Sequence, residues 1–283
     1  MKRLALVLVA ACGGGGDSGD PPLAEVEATL EALAVNDASF FAIDSKDKSV
    51  IEIGLVDGVL IGKLPTNGAV SELVAQGGWV AWIEAEGSGK LIRRRKVDGM
   101  IESTRAQTAA PKIIATSEGL FYSDGMLVAI WKEGMNPDRV ALTGSSAKVI
   151  GVDLSYVYTT EADTSVVKYP RTEEASEVVL PASKDAIVKD GQIAHRTAEG
   201  IRVRDLTSGF DRVVGMPPTD YPCALLIAGR AVMCGKYRAL DGMITELLDD
   251  EVTGYAAVGK NVVWVKSDGK KSSIYQVDAE LKK

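Results

Sequence analysis

The chain has 283 residues, a formal net charge of −7, a single histidine and three cysteines. The acidic balance disfavours nucleic acids and anionic lipid surfaces as partners, because both repel a negatively charged protein. With one histidine, a single subunit cannot build a metal site from several histidines or a histidine pair for acid–base catalysis.

The first twelve residues have the pattern of an export signal. Met1-Lys2-Arg3 is a basic start, Leu4 to Ala11 is an uninterrupted apolar run, and Cys12 follows. The run is too short to span a bilayer as a helix, which takes about 20 apolar residues. We therefore predict that residues 1–11 are a signal peptide.

Residues 12–22 are rich in glycine and polar side chains, a composition typical of a flexible tether. The string Val9-Ala10-Ala11-Cys12 resembles the lipobox of bacterial lipoproteins. This resemblance implies cleavage before Cys12, acylation of its thiol, and membrane attachment through the lipid. Gly13 follows in place of an aspartate, which by similarity to enterobacterial sorting implies the outer membrane of the bacterial envelope. The alternatives are an ordinary secretory cleavage after Ala11 and a chance match.

A short apolar motif then recurs seven times, and its last residues lie 31–40 positions apart. A period of this length is typical of β-propellers, in which each blade of four short strands buries its faces against its neighbours. We predict an all-β fold, a β-propeller of about seven four-stranded blades, as one domain over residues 23–283. The equivalent last residues of the motif are Ala42, Trp82, Tyr122, Tyr158, His195, Met233 and Trp264.

Within each copy the same order of strands and turns recurs. The fourth copy shows strands at about 147–152, 156–160, 166–169 and 177–180, and six Asp-Gly pairs along the chain suit the tight turns of hairpins. The last copy supplies only three strands, the last of them at about 273–277.

The missing fourth strand can come from the N-terminus. Apolar and other residues alternate from Ala24 to Leu30, which is the period of a strand, although the same stretch also fits an amphipathic helix. A strand here would fasten the first blade to the last and remove an open sheet edge. We therefore predict that it completes the last blade.

Cys223 and Cys234 flank two short strands that we place on either side of a turn at Ala228-Gly229. Such a turn sets the cysteines opposite one another, within reach of a bond. Because the export signal implies an oxidising compartment, we predict a disulfide between them. Two buried free thiols are the alternative.

Several charged or aromatic features are read as structural. The basic run Arg93 to Lys96 is predicted to be a solvated strand at the outer edge of the second blade. His195 holds the motif position of Tyr158 and Trp264, which favours a packed side chain over a catalytic base.

The acidic clusters Asp44–Asp47 and Asp249–Glu251 lack the alternating ligands of a calcium loop and are interpreted as solvated turns. The aromatic residues are expected to pack between blades, with carbohydrate stacking as the alternative.

Repeats such as Trp79-Val80-Ala81-Trp82 followed by Lys96-Val97-Asp98-Gly99 resemble the YWTD-type blade of low-density-lipoprotein-receptor-like propellers and their bacterial lipoprotein relatives. The similarity covers about residues 24–281, and no copy has the complete Tyr-Trp-Thr-Asp string. Receptor propellers of this type are non-enzymatic and usually six-bladed.

We therefore expect a lipid-anchored binding or scaffold module without catalytic residues, cofactor or metal. A protein or glycan would bind at one face of a monomer. The alternative is a propeller enzyme, a lyase or glycan hydrolase, with carboxylates converging at the central channel. A third possibility, an envelope-assembly factor with quinoprotein-type repeats, requires a blade signature that this sequence lacks.

Overall fold

A computed structural model describes residues 21–96, 99–144, 146–172, 175–183, 185–217, 223–248 and 250–281. In these ranges it has twenty-eight β-strands in seven four-stranded antiparallel sheets, and no α-helix. The innermost strand of each sheet contacts the innermost strands of both neighbouring sheets, so the sheets close into a ring. The prediction of a seven-bladed β-propeller is confirmed.

The strands of a blade follow one another in the chain from the centre of the ring outwards. Blade 1 consists of β2 (Leu30–Val35), β3 (Ser39–Asp44), β4 (Val50–Gly54) and β5 (Leu60–Lys63). Blade 2 consists of β6 (Val70–Gln76), β7 (Trp79–Glu86), β8 (Gly89–Lys96) and β9 (Ile101–Ala106). Blade 3 consists of β10 (Lys112–Thr116), β11 (Gly119–Asp124), β12 (Leu127–Trp131) and β13 (Asp138–Leu142).

The next three blades repeat this arrangement. Blade 4 consists of β14 (Lys148–Val152), β15 (Tyr156–Thr160), β16 (Val166–Pro170) and β17 (Glu177–Leu180). Blade 5 consists of β18 (Ala186–Lys189), β19 (Gln192–Thr197), β20 (Gly200–Asp205) and β21 (Asp211–Gly215). Blade 6 consists of β22 (Leu225–Ala228), β23 (Ala231–Cys234), β24 (Tyr237–Leu240) and β25 (Met243–Glu246).

Blade 7 is assembled from the two ends of the chain. It consists of β26 (Val252–Val258), β27 (Asn261–Ser267), β28 (Ser272–Asp278) and, at the outer edge, β1 (Ala24–Val26). β1 pairs antiparallel with β28, with Ala24 opposite Ile274 and Val26 opposite Ser272. The predicted closing strand is confirmed, but it is shorter than the alternating stretch, because Leu30 already begins the innermost strand of blade 1.

The core lies between the blades. Seven clusters of buried apolar side chains occur, one at each contact between adjacent blades, including the contact of blade 7 with blade 1. The recurring motif falls on the second strand of every blade, which is covered by a neighbour on both sides and therefore reads as a continuous apolar run. Aromatic side chains at its end, such as Trp82 and Tyr158, belong to these clusters, as predicted.

The ring has two faces that differ in their connections. We call the face at which the innermost strand of each blade begins the start face, and the opposite face the end face. The blade-to-blade loops and the turns between second and third strands lie at the start face. At the end face lie the turns between first and second strands and between third and fourth strands. Hydrogen bonds join turns of one face, for example Leu55 N to Ala38 O at 3.0 Å on the end face and Thr143 N to Met126 O at 2.9 Å on the start face.

The predicted disulfide between Cys223 and Cys234 is present, with Cα atoms 5.1 Å apart. The predicted turn is displaced by one residue, which shifts the strand pairing by two. The turn lies at Gly229-Arg230, where Gly229 has a φ of 59°, so Ala228 pairs with Ala231 and Cys234 faces Leu225. Cys223 therefore reaches Cys234 diagonally from two positions before β22.

Candidate functional site

The innermost strands of blades 2, 3 and 4 bring charged side chains together at the start face, near the mouth of the central channel. Glu72 lies on β6, Lys112 begins β10 and Lys148 begins β14. Lys112 Nζ lies 3.0 Å from Glu72 Oε1, and the Glu72 side chain is 20% exposed. These three residues form the candidate site, which spacing along the sequence did not single out.

The electrostatics of this site centre on Glu72. Burial raises the pKa of Glu72, while Lys112, the backbone N–H of Ile113 and Lys148 oppose the rise. A carboxyl group with weakened acidity can hold or transfer a proton more readily than an ordinary glutamate. The site therefore offers one carboxyl group of weakened acidity that interacts with two ammonium groups.

Blade 1 contributes a second group of charges to the start face. Lys63 Nζ lies 2.9 Å from Asp44 Oδ2 and 2.7 Å from Asp47 Oδ2, and Lys48 pairs with Glu31. The hydrogen bond from Lys63 holds the pKa of Asp47 well below its usual range. Asp44 is buried, so the prediction of a solvated turn is wrong for this carboxylate and Lys63 is what compensates its charge.

The other acidic cluster, Asp249–Glu251, is only partly described, since Asp249 lies outside the described residues. In the ranges that the structure describes, no three histidine, cysteine, aspartate or glutamate side chains are grouped so as to hold a metal ion.

Buried carboxylates recur two positions after the end of the apolar motif in the first three blades, at Asp44, Glu84 and Asp124. Asp124 accepts hydrogen bonds from the backbone N–H groups of Gln107 (2.8 Å) and Thr108 (2.8 Å), in the loop that joins blades 2 and 3. Glu84 and Asp124 accept hydrogen bonds from blade-to-blade loops, whereas Asp44 accepts from the turn between β3 and β4 and from Lys63. All three lie on second strands and not on the innermost strands around the channel. Their constant offset from the motif is a signal that could have been read from the sequence.

The basic run Arg93 to Lys96 corrects the prediction of a solvated outer edge. It lies on β8, the third strand of blade 2, and not on the outermost strand β9. Arg93 Nε lies 2.8 Å from the buried Glu84, and Arg95 pairs with Glu52 of blade 1. The interpretation failed because Glu52, the partner of Arg95, lies 43 residues away in the sequence.

Arg94 is the most deeply buried of these cations, at 2% exposure. Its guanidinium group lies between the rings of Trp79 and Trp131, 5.0 and 4.1 Å from their centroids. It donates hydrogen bonds to the carbonyl groups of Trp131 and Lys132 in blade 3 and to Glu102 in blade 2. Arg94 therefore links two blades.

His195 lies on β19 with its side chain buried, at the position predicted from the motif. Neither ring nitrogen makes a hydrogen bond with the described groups, and Nε2 lies 4.0 Å from Asp211 Oδ2. Burial lowers the pKa of His195, Asp211 opposes this, and Arg202 and Arg204 add to it. The arrangement lacks the hydroxyl–imidazole hydrogen bond of a nucleophilic triad.

This burial predicts a pH-dependent stability. Because the folded pKa of His195 is below that of the unfolded chain, whose ordinary value is 6.5, the unfolded chain takes up a proton first as the pH falls. The free energy of unfolding is therefore expected to include a contribution present above pH 6.5 and lost on acidification through the folded pKa.

His195→Met should abolish this contribution. Methionine is chosen because blade 6 has it at the equivalent position, Met233. Urea unfolding of both proteins at about pH 7.5 and about pH 5.5 measures the difference, because other groups titrate equally in both. If His195→Met lost as much free energy of unfolding on acidification as the parent protein, the prediction would be contradicted.

Cys12, predicted to carry the lipid, lies outside the described residues. None of the described segments is a helix long and apolar enough to cross a membrane. Among the depressions of the described surface, one lies beside Lys236 and Tyr255 on the start face and another beside Phe210 and Arg212 on the end face; neither includes Glu72.

Known proteins resemble the chain in fold. Virginiamycin B lyase from Staphylococcus aureus is 16% identical, with a TM-score of 0.66 over 89% of this chain and 98% of the lyase. PorZ, a surface component of the type-IX secretion system of Porphyromonas gingivalis, is 11% identical, with a TM-score of 0.64 over 92% of this chain and 39% of PorZ.

The computationally designed Ika8 protein is 12% identical, with a TM-score of 0.57 over 91% of this chain and all of Ika8. No protein-family model and no curated protein matches the sequence. At these identities the likeness shows the propeller fold alone.

Proposed function

We propose that the chain is an exported, lipid-anchored β-propeller that acts as a non-catalytic binding or scaffold module at the bacterial cell envelope. The observation that carries this proposal is the pairing of charges at the start face. Glu72, Glu31 and Asp44 each lie against a lysine. Carboxylates held in such pairs support a rigid ring better than they support catalysis.

The anchor follows from the sequence pattern that ends at Cys12, and the Gly13 that follows it favours the outer membrane. A protein or glycan partner would bind one face of a monomer. The propeller of PorZ, a bacterial surface component, is a precedent for the fold in such a setting.

The anchor is tested by Cys12→Ser in the full chain. This variant should leave the membrane fraction while keeping the near-ultraviolet circular dichroism of the folded ring. Retention in the membrane fraction would count against acylation at Cys12.

An enzyme, a propeller lyase or glycan hydrolase, is the second candidate. Two observations favour it: a virginiamycin B lyase and a streptogramin B lyase match the chain over nearly their whole length, and Glu72 has a raised pKa at the channel mouth. A lyase reaction requires a group that removes or supplies a proton, which Glu72 could do.

Turnover separates the two candidates. The full chain is incubated with virginiamycin B and with envelope glycans, and products are followed by mass spectrometry. Glu72→Gln should abolish turnover if Glu72 is catalytic, whereas Glu118→Gln, which removes an ion pair with Arg171 on the end face, should not. A scaffold is expected to give no turnover in the parent protein, even where one of these compounds binds to it.

A further inference from the structure

The exposed apolar side chains of the propeller are distributed unequally between its two faces. Single exposed apolar residues are ordinary on protein surfaces, and only a contiguous or one-sided set indicates an interaction. On the end face, six blades each present a large apolar side chain that is more than half exposed. These residues, the apolar ring, are Val56, Met100, Met135, Leu154, Phe210 and Met243.

All six lie in or next to the short turns that define the end face. Leu154 lies between the first and second strands of blade 4, and the other five lie between third and fourth strands or at the start of a fourth strand, as in Met243. Val56 and Leu154 are 98% and 88% exposed. The start face has only Met126, Leu142 and Met216 as comparable side chains in the described ranges.

Blade 1 extends the apolar ring along its outer edge. Val59, Leu60 and Ile61 follow Val56 and are all more than 45% exposed. In β5 only Lys63 is charged, whereas outer strands such as β9 and β21 carry two charged residues each. An apolar outer strand with so little charge is normally avoided in monomers, since it invites association.

The N-terminal segment leaves the propeller at this same place. β1 runs in the direction from the end face towards the start face and pairs with the first three residues of β28. The backbone of Leu23 and Ala24 packs directly against Gly58 in the turn between β4 and β5. Leu23 is itself 43% exposed. The tether that leads back to Cys12 therefore begins beside Val56 and Val59.

Three carboxylates of the end face are neutralised by ion pairs. Glu133 pairs with Lys96, Glu118 pairs with Arg171, and Asp241 pairs with Arg230. Neutralised carboxylates of this kind can approach a zwitterionic headgroup region without the repulsion that an unpaired acidic patch would cause.

We propose that the end face docks onto the lipid bilayer, with the apolar ring entering the interfacial region beside the anchor. The proposal rests on the proposed lipid anchor, which holds the protein within one tether length of the bilayer. Apolar side chains that enter the interfacial region beside the anchor add to its affinity for the bilayer. The disc then lies flat, and the start face with Glu72, Lys112 and Lys148 points away from the membrane towards a partner.

The experiment uses the full acylated chain reconstituted in vesicles of phosphatidylethanolamine and phosphatidylcholine. Cys12 is acylated and Cys223 is bonded to Cys234, so an introduced cysteine provides a single thiol for a fluorophore. Leu154→Cys places the fluorophore on the end face. Met126→Cys, also at an exposed methionine, is the matched control on the start face.

Lipids with brominated acyl chains quench only fluorophores that enter the bilayer. We expect strong quenching at position 154 and little at position 126, with no dependence on salt, because the contact is apolar. Replacement of Val56, Met135 and Phe210 by aspartate should abolish the quenching at position 154. The same change at Met126, Leu142 and Met216 should not.

The outcomes separate the docking face from the anchor. Co-flotation with equal, weak quenching at both positions would overturn the docking face and leave the anchor intact. Failure to float with vesicles would contradict the anchor itself. A blue shift at position 154 that appears without vesicles and grows with protein concentration would show that a second copy covers the apolar ring, and would also overturn the proposal.

Discussion

Replacement of Arg94 by methionine should lower the free energy of unfolding by about 3 kcal/mol. Methionine fills much of the space but cannot donate to the carbonyl groups of Trp131 and Lys132, which Arg94 satisfies across the contact between blades 2 and 3. The loss of the cation between Trp79 and Trp131 adds to the cost. Urea unfolding followed by tryptophan fluorescence measures the change.

Arg105→Met is the matched control for this prediction. Arg105 pairs with Glu86 at the surface and its side chain is 73% exposed. Exposed pairs of this kind contribute about 0–1 kcal/mol, so this variant should unfold close to the parent. Arg94→Lys, which keeps the charge but not the planar fork, should lie between the two. Equal losses in Arg94→Met and Arg105→Met would show that the buried cation does not link the blades.

The fold was predictable because the repeat is a direct consequence of the packing. Each second strand, such as β3 or β15, is sandwiched between two blades, so every copy needs an apolar run at the same place. The closing strand was predictable for the same reason, since the last copy lacked a partner for β28. Only its length was overestimated, because alternation at residues 24–30 continues without a break into β2.

The charge arrangement was only partly predictable. The residues Arg93 to Arg95 look like a solvated run, because nothing nearby in the sequence shows that Glu52 and Trp131 lie against them. The candidate site at Glu72 depends on the neighbouring innermost strands β6 and β10, which a periodic motif on the second strand does not describe. Contacts between blades were therefore predictable from the sequence for apolar residues but not for charged ones.

The contact of blade 7 with blade 1 is where the ring closes. Thr253 Oγ1 donates to Leu30 O at 2.6 Å, and Leu30 N donates to Ser272 Oγ at 2.9 Å. Gly254 packs so closely on β2 that a Cβ atom there would lie 2.7–2.8 Å from the backbone atoms of Ala32. Since backbone cannot rotate away as a flexible side chain does, any larger residue must push the two blades apart.

Gly254→Ala should therefore lower the free energy of unfolding by about 2–3 kcal/mol. Its effect should concentrate at the closure, with faster hydrogen exchange at the Leu30 amide than in blades 3 and 4. Gly78→Ala is the control, because a Cβ atom at Gly78 meets nothing within 4 Å. If both variants unfold alike, the close approach of β26 to β2 is not what limits substitution there. If Gly254→Ala is destabilised but exchange rises evenly around the ring, the blades are coupled so tightly that strain at the closure is shared by all seven.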